Sequence, residues 1–174
     1  MKRRDFIKGA AAGGALLFIP GISACTPQDF SLERALSVIE SLKHSRSLRS
    51  RGPQSAFQIL MHCTQSVDCA LVGYPEMKPE WFQNSIGKAA FHAFSLMDQM
   101  KHDRTAPIPG MPVPAKDGDV QLALQELEAA FLKLKGIPAV YPHFFFGALS
   151  HREMERIQVL HLMNHLELLE WKKA

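Results

Sequence analysis

The feature that most constrains this chain is an unbroken run over residues 150–171, S-H-R-E-M-E-R-I-Q-V-L-H-L-M-N-H-L-E-L-L-E-W. Ser150 and Glu153 form an S-x-x-E capping box at its start. No Gly or Pro interrupts the roughly 20 residues that follow, enough for a rod about 30 Å long. The spacing therefore predicts a last helix. His161 and His165 are four apart, so both project from one face, about a turn from each other. At about 100° per residue Met154, Ile157, Gln158 and Leu168 share that face, while Arg156, Glu167 and Glu170 lie opposite. Two imidazoles thus point inward, which costs stability unless something satisfies their nitrogens. A metal would do so, and so would ordinary hydrogen bonds.

The rest of the chain supplies partners for that rod. Residues 31–44 read as a first helix, with Leu32, Ala35, Leu36, Ile39 and Leu42 on one face. Residues 45–52, S-R-S-L-R-S-R-G, break the period and read as a solvated basic loop. Ser55 and Gln58 make a second capping box, opening a helix that Gly73 and Pro75 stop. His62 sits mid-helix, with Gln58, Ile59, Gln65, Ser66 and Cys69 within about 60° of it, a polar strip on a face that should be buried. Residues 80–101 read as a third helix with Trp81, Phe82, Ile86, Ala90, Phe91, Phe94 and Met97 as its apolar set. His92 and His102 fall off its main stripe or at its end and read as solvent-facing or satisfied histidines.

Residues 105–118 hold four prolines and two glycines, a stiff extended connection of the kind that often borders a site. Asp119 then caps a fourth helix over residues 120–135, with Leu122, Leu127, Ala130, Phe131 and Leu134 inward. The three successive phenylalanines at 144–146 need cover, so their loop should pack over one end of the helices. No repeat, strand-pairing signal or Gly-rich phosphate loop is visible. Long helices joined by short and medium loops make an all-α chain.

The first 24 residues are an address rather than part of the fold. Residues 1–8, M-K-R-R-D-F-I-K, resemble the S-R-R-x-F-x-K export signal of the twin-arginine (Tat) pathway, with Lys2 at the serine position. The small-residue apolar run that follows is too short for a good membrane span. It ends in Ile22-Ser23-Ala24-Cys25, which resembles a lipobox: cleavage before Cys25 would leave its thiol carrying a diacylglycerol and anchor the chain to a membrane. The alternative is a plain exported protein cut near Ala24 with Cys25 free. Residues 25–30 read as a tether and 31–174 as one domain.

Removing Lys2, Arg3, Arg4 and Lys8 with Asp5 takes the 20 basic and 17 acidic residues to 16 of each. A neutral domain argues against nucleic acid as a partner. Cys63 and Cys69, six apart on one helix, lie about 9 Å apart, too far for a disulfide, and read as buried free thiols.

With eight histidines in the chain, an H-x-x-x-H pair is weak evidence alone. It gains weight because His62 lies on the core-facing stripe of another helix, and bundles build metal sites from facing helices. Three imidazoles suit Zn, Ni or Fe better than Mg or Ca, and leave one coordination position open. The other reading is three separate core histidines bonded to backbone or to Gln58, Gln65 and Asn164.

Several stretches together are similar to the DinB/YfiT-like superfamily of metal-dependent four-helix bundles. They are residues 55–63 (S-A-F-Q-I-L-M-H-C), 71–75 (L-V-G-Y-P), 107–110 (P-I-P-G), 143–149 (H-F-F-F-G-A-L) and 161–165 (H-L-M-N-H). The resemblance implies an up-and-down four-helix bundle with an additional helix and a Pro-rich loop. It also implies a divalent metal on His62, His161 and His165, the positions that match the superfamily's triad. Some relatives look like thiol-dependent transferases; a hydrolase is the other enzymatic expectation. His143, where the pattern leads one to expect His-Pro, is a candidate acid/base. Gln58 and Gln65 could orient His62 or a water. The expected partners are a membrane through Cys25, a small molecule and a second copy of the chain. The competing expectation is a non-catalytic lipoprotein with structural histidines.

Overall fold

The computed structural model describes residues 31–172, so the export signal and the expected lipobox at Cys25 and tether lie outside the described residues. The described chain is predominantly helical, with five helices and one two-stranded sheet. Helix α1 spans Leu32–Lys43, and the Ser31 hydroxyl accepts from the Arg34 N–H at its start. Leu32, Ala35, Ile39 and Leu42 are buried, the i, i+3, i+7 rhythm of one helical face. Helix α2 spans Ala56–Val72. Both arms of its capping box form: the Gln58 N–H donates to Ser55 Oγ and the Ser55 N–H to Gln58 Oε1, each at 3.1 Å. It stops at Gly73, whose φ of 102° a side chain would resist.

Three segments, Glu80–Phe82, a π-helical turn Gln83–Gly87 and Lys88–Met97, run on as one rod, α3. The expected apolar face holds only in part, at Ala90, Phe91 and Phe94. Trp81, Ile86 and Met97 are exposed; Phe91 is buried as expected, but Gln83 and Gly87 take the other buried places. The extra residue of the π turn rotates the stripe, which a 3.6-residue period cannot anticipate. Gly87 is needed where it sits, because a Cβ there would collide with the Phe145 carbonyl oxygen. The rod also ends earlier than expected, at Asp98 in the left-handed region (φ 49°), whose carboxylate pairs with Arg156.

Helix α4 spans Val120–Gly136, capped by Asp119 Oδ1 accepting from the Gln121 and Leu122 N–H groups. Leu122, expected inside, is exposed; Ala123 and Leu124 take the core positions. Helix α5 spans His151–Leu166 behind the second capping box, Ser150 with Glu153. It is shorter than its sequence run. Residues Leu169–Lys172 leave the helix as strand β2, antiparallel to β1, Ser47–Ser50. The stretch read as a solvated basic loop is therefore a strand, with Leu48 opposite Trp171 and Ser50 opposite the buried Leu169. Arg46 N–H to Lys172 O and Arg51 N–H to Leu168 O extend the ladder at either end.

Helix α2 packs along α4, α1 against α4, and α5 against both α2 and α1. Their shared core includes Ile39, Leu60, Val67, Leu124, Phe131, Met154 and Leu162. A second cluster, Phe91, Met100, Phe146, Ile157 and Leu160, joins α3 and the Phe loop to α5. The Phe loop thus finds its cover there, tightened by paired backbone bonds between His143 and Gly147. Cys63 and Cys69 are buried and free.

Candidate metal centre

The inward faces of α2 and α5 meet on a polar strip. Part of it is fully satisfied. Ser66 Oγ donates to Gln158 Oε1 at 2.9 Å, Gln158 Nε2 donates to the Tyr74 hydroxyl at 3.2 Å, and that hydroxyl donates to the Ser66 carbonyl at 3.3 Å. Ser66 is one turn beyond His62 on α2, and Gln158 one turn before His161 on α5. Buried polar groups with a structural role look like this, each donor matched to an acceptor.

The histidines beside that network do not. His62, His161 and His165 come together across the α2–α5 seam, with potential ligand nitrogens all within 4.8 Å of one another. Ring centroids are 5.2 Å apart for His62–His161, 4.7 Å for His62–His165 and 4.5 Å for His161–His165. His165 is 0% exposed, and neither of its ring nitrogens has a hydrogen-bond partner. Such an orphaned group costs roughly 1–3 kcal/mol unless something else binds it. The spacing fits a shared cation. With metal–nitrogen bonds of about 2.0–2.1 Å, imidazole centroids around one ion lie roughly 4.5–5.2 Å apart. The group contains no carboxylate and no thiol among the described residues.

Burial also sets the protonation state. It pushes His62 down to about 4, helped by the nearby His102, and holds His161 and His165 well below the ordinary histidine range. At neutral pH all three are uncharged, with lone pairs free and no proton for a metal to displace.

The other expected site residues stand outside the three-histidine cluster. The Gln58 amide donates to the Pro114 carbonyl at 3.2 Å and the Gln65 amide to the Pro112 carbonyl at 3.1 Å, so both hold the Pro-rich loop against α2 rather than orient an imidazole. Asn164 Oδ1 has no partner of its own. His143 is buried in the Phe loop, where its Nδ1 accepts from the Phe145 and Phe146 N–H groups at 3.1 and 3.4 Å. Its neutral ring therefore carries the proton on Nε2, and burial pushes its pKa down to about 3. Sequence reasoning missed His102. Its ring lies 5.1 Å from His161 and 5.2 Å from His165. The only sequence signal was Arg104 two residues on, whose Nη1 reaches the Asn164 carbonyl at 3.2 Å and Glu167 Oε2 at 3.0 Å on α5.

A pH dependence follows from these depressed values. Unfolding lets His62 and His143 return to the ordinary value near 6.5, so below that pH the unfolded chain binds more protons than the folded one. Their contribution is complete above about 6.5 and is lost as pH falls towards 4 for His62 and 3 for His143. Melts of chelator-treated protein from pH 7.5 to 4 are expected to show a falling Tm below about 6.5; a constant Tm would contradict these assignments.

Residues 28–172 match the family model described as Protein of unknown function (DUF1569). The chain belongs to the DUF1569 family. A second model, the TAT (twin-arginine translocation) pathway signal sequence, matches residues 1–20, so this DUF1569 chain carries an export signal. No curated protein and no solved structure matches it. Among the described residues of this DUF1569 domain, no helix is long and apolar enough to cross a membrane.

Proposed function

We propose that this domain is an exported metal-dependent enzyme of DinB/YfiT type, a hydrolase or transferase, tethered to a membrane by lipid on Cys25. In this reading α1, α2, α4 and α5 are the rods of an up-and-down four-helix bundle, with α3 the additional helix. His62, His161 and His165 hold one divalent cation, Zn, Ni or Fe. The observation that carries the proposal is His165: fully buried, with both ring nitrogens unpartnered, inside a cluster of three imidazoles. A non-catalytic module with structural histidines would be expected to bond them as it bonds Gln158.

When bound, such a cation supplies Lewis acidity at an open position, polarising an oxygen or sulfur ligand. The chain's own residues do the rest. His161 is only partly buried, the least covered of the three. The Pro-rich loop, held by Gln58 and Gln65, borders the site on the α2 side. Arg104 fixes the preceding segment to α5. Tat export moves folded proteins, so a cation acquired before export would travel with the domain.

The test is a screen of ester, amide and thiol-conjugation substrates on metal-loaded, chelated and reloaded protein. Turnover is expected in the loaded and reloaded samples and not in the chelated one; equal turnover in all three would overturn the enzymatic reading. The tether is tested by Cys25→Ser, which is expected to move the exported chain from the membrane to the soluble fraction. Unchanged membrane association would remove the lipid anchor.

A further inference from the structure

We propose that His102 is a fourth, detachable ligand of the same cation, carried on the segment that follows α3. The inference rests on the metal-centre reading of the three helical histidines. His102 stands 5.1 Å from His161 and 5.2 Å from His165, ring centroid to centroid, against 4.5–5.2 Å among the three themselves. It is as near to two of the ligands as they are to one another.

Its local chemistry prepares it for ligation. His102 Nδ1 lies 2.9 Å from the Asp103 carbonyl oxygen. A carbonyl only accepts, so Nδ1 carries the proton and the Nε2 lone pair is left available. Metal-bound histidines commonly donate their second N–H to a carbonyl in this way, which fixes both tautomer and ring orientation. The segment itself is held in place. Asp103 Oδ1 accepts from the Thr105 N–H at 2.9 Å and the Thr105 hydroxyl at 2.7 Å, making a tight turn. Arg104 then grips the Asn164 carbonyl, adjacent in sequence to His165. A local turn and a bond to α5 together present His102 to the centre.

The same geometry makes it the ligand that can leave. His62, His161 and His165 stand on helices, and the tight nitrogen cluster comprises those three. His102 stands on the loop just before that turn with its side chain exposed, one step outside the cluster. Ligation takes a short inward swing of one ring; release opens the fourth position to an oxygen or thiol group of a substrate. Such a group would compete with the imidazole, a neutral ligand, for one site.

Cobalt(II) titration of the full chain, read by visible d–d absorption, tests this. The wild type is expected to give the intense bands of a four-nitrogen tetrahedral site. In His102→Ala, Co²⁺ should bind roughly 10- to 100-fold more weakly, with weaker bands that added imidazole restores, and with unchanged far-UV circular dichroism. Equal affinity and an identical spectrum in His102→Ala would overturn the fourth ligand while leaving the three-histidine centre standing. Failure of the folded wild type to bind Co²⁺ would remove that centre and this proposal together.

Discussion

His62→Ala is expected to weaken Zn²⁺ binding by at least about a hundredfold while the helices stay formed. Groups that merely orient a metal ligand are worth 10- to 100-fold in affinity, and His62 would be a ligand itself. It is also the one member of the cluster contributed by α2; His161 and His165 both come from α5. A cation held by all three therefore cross-links two helices. Binding to the folded state alone stabilises it by about 2.7 kcal/mol when free metal is a hundred times Kd. The wild type should therefore gain several degrees in Tm on adding Zn²⁺, and His62→Ala should gain almost none. Competition against a chromophoric chelator gives the affinity, and parallel melts give the shift. An equal Zn²⁺-induced rise in both proteins would place any bound metal elsewhere.

His165→Leu is expected to act in opposite directions with and without metal. In the chelated wild type the ring is completely buried and both nitrogens lack partners, so folding bears their desolvation with nothing to offset it. Leucine has a similar volume and no polar atom. It should leave the metal-free domain as stable as the wild type or more stable, by about 1–3 kcal/mol. With saturating Zn²⁺ the order reverses, because the variant has lost a ligand. A histidine serving the fold through hydrogen bonds would behave otherwise, and its replacement would destabilise the protein whether or not metal is present. Denaturant melts of both proteins, each with chelator and with Zn²⁺, separate these cases by the sign of the difference.

The helix starts were legible because their signals are local. Ser55 with Gln58, Ser150 with Glu153, and Asp119 before Val120 each cap a helix through bonds spanning three residues or fewer. The triad was legible for a related reason. Residues four apart on a helix share a face, and the face of His62 was marked by polar neighbours, one of which, Ser66, indeed bonds across the seam to Gln158 on the face of His161 and His165. What was missed depends on the rest of the fold. Strand β1 is S-L-R-S, too short and too polar to read as a strand alone; it forms because residues from the far end of the sequence come alongside. The π turn shifts the buried face of α3 without changing its composition. Gln58 and Gln65 share the His62 face, yet their amides reach carbonyls on the Pro-rich loop, whose course no local pattern fixes. His102 reads as a frayed helix end until Arg104 is seen to anchor that end on α5.

The most direct measurement is the metal content of the purified, folded chain after loading with Zn²⁺, Ni²⁺ or Fe²⁺ and exhaustive dialysis, determined by elemental analysis. One equivalent of a transition metal per chain in the wild type, with only background in His62→Ala and His165→Leu, is the predicted result. A well-folded wild type that retains no more metal than those two variants would contradict the account.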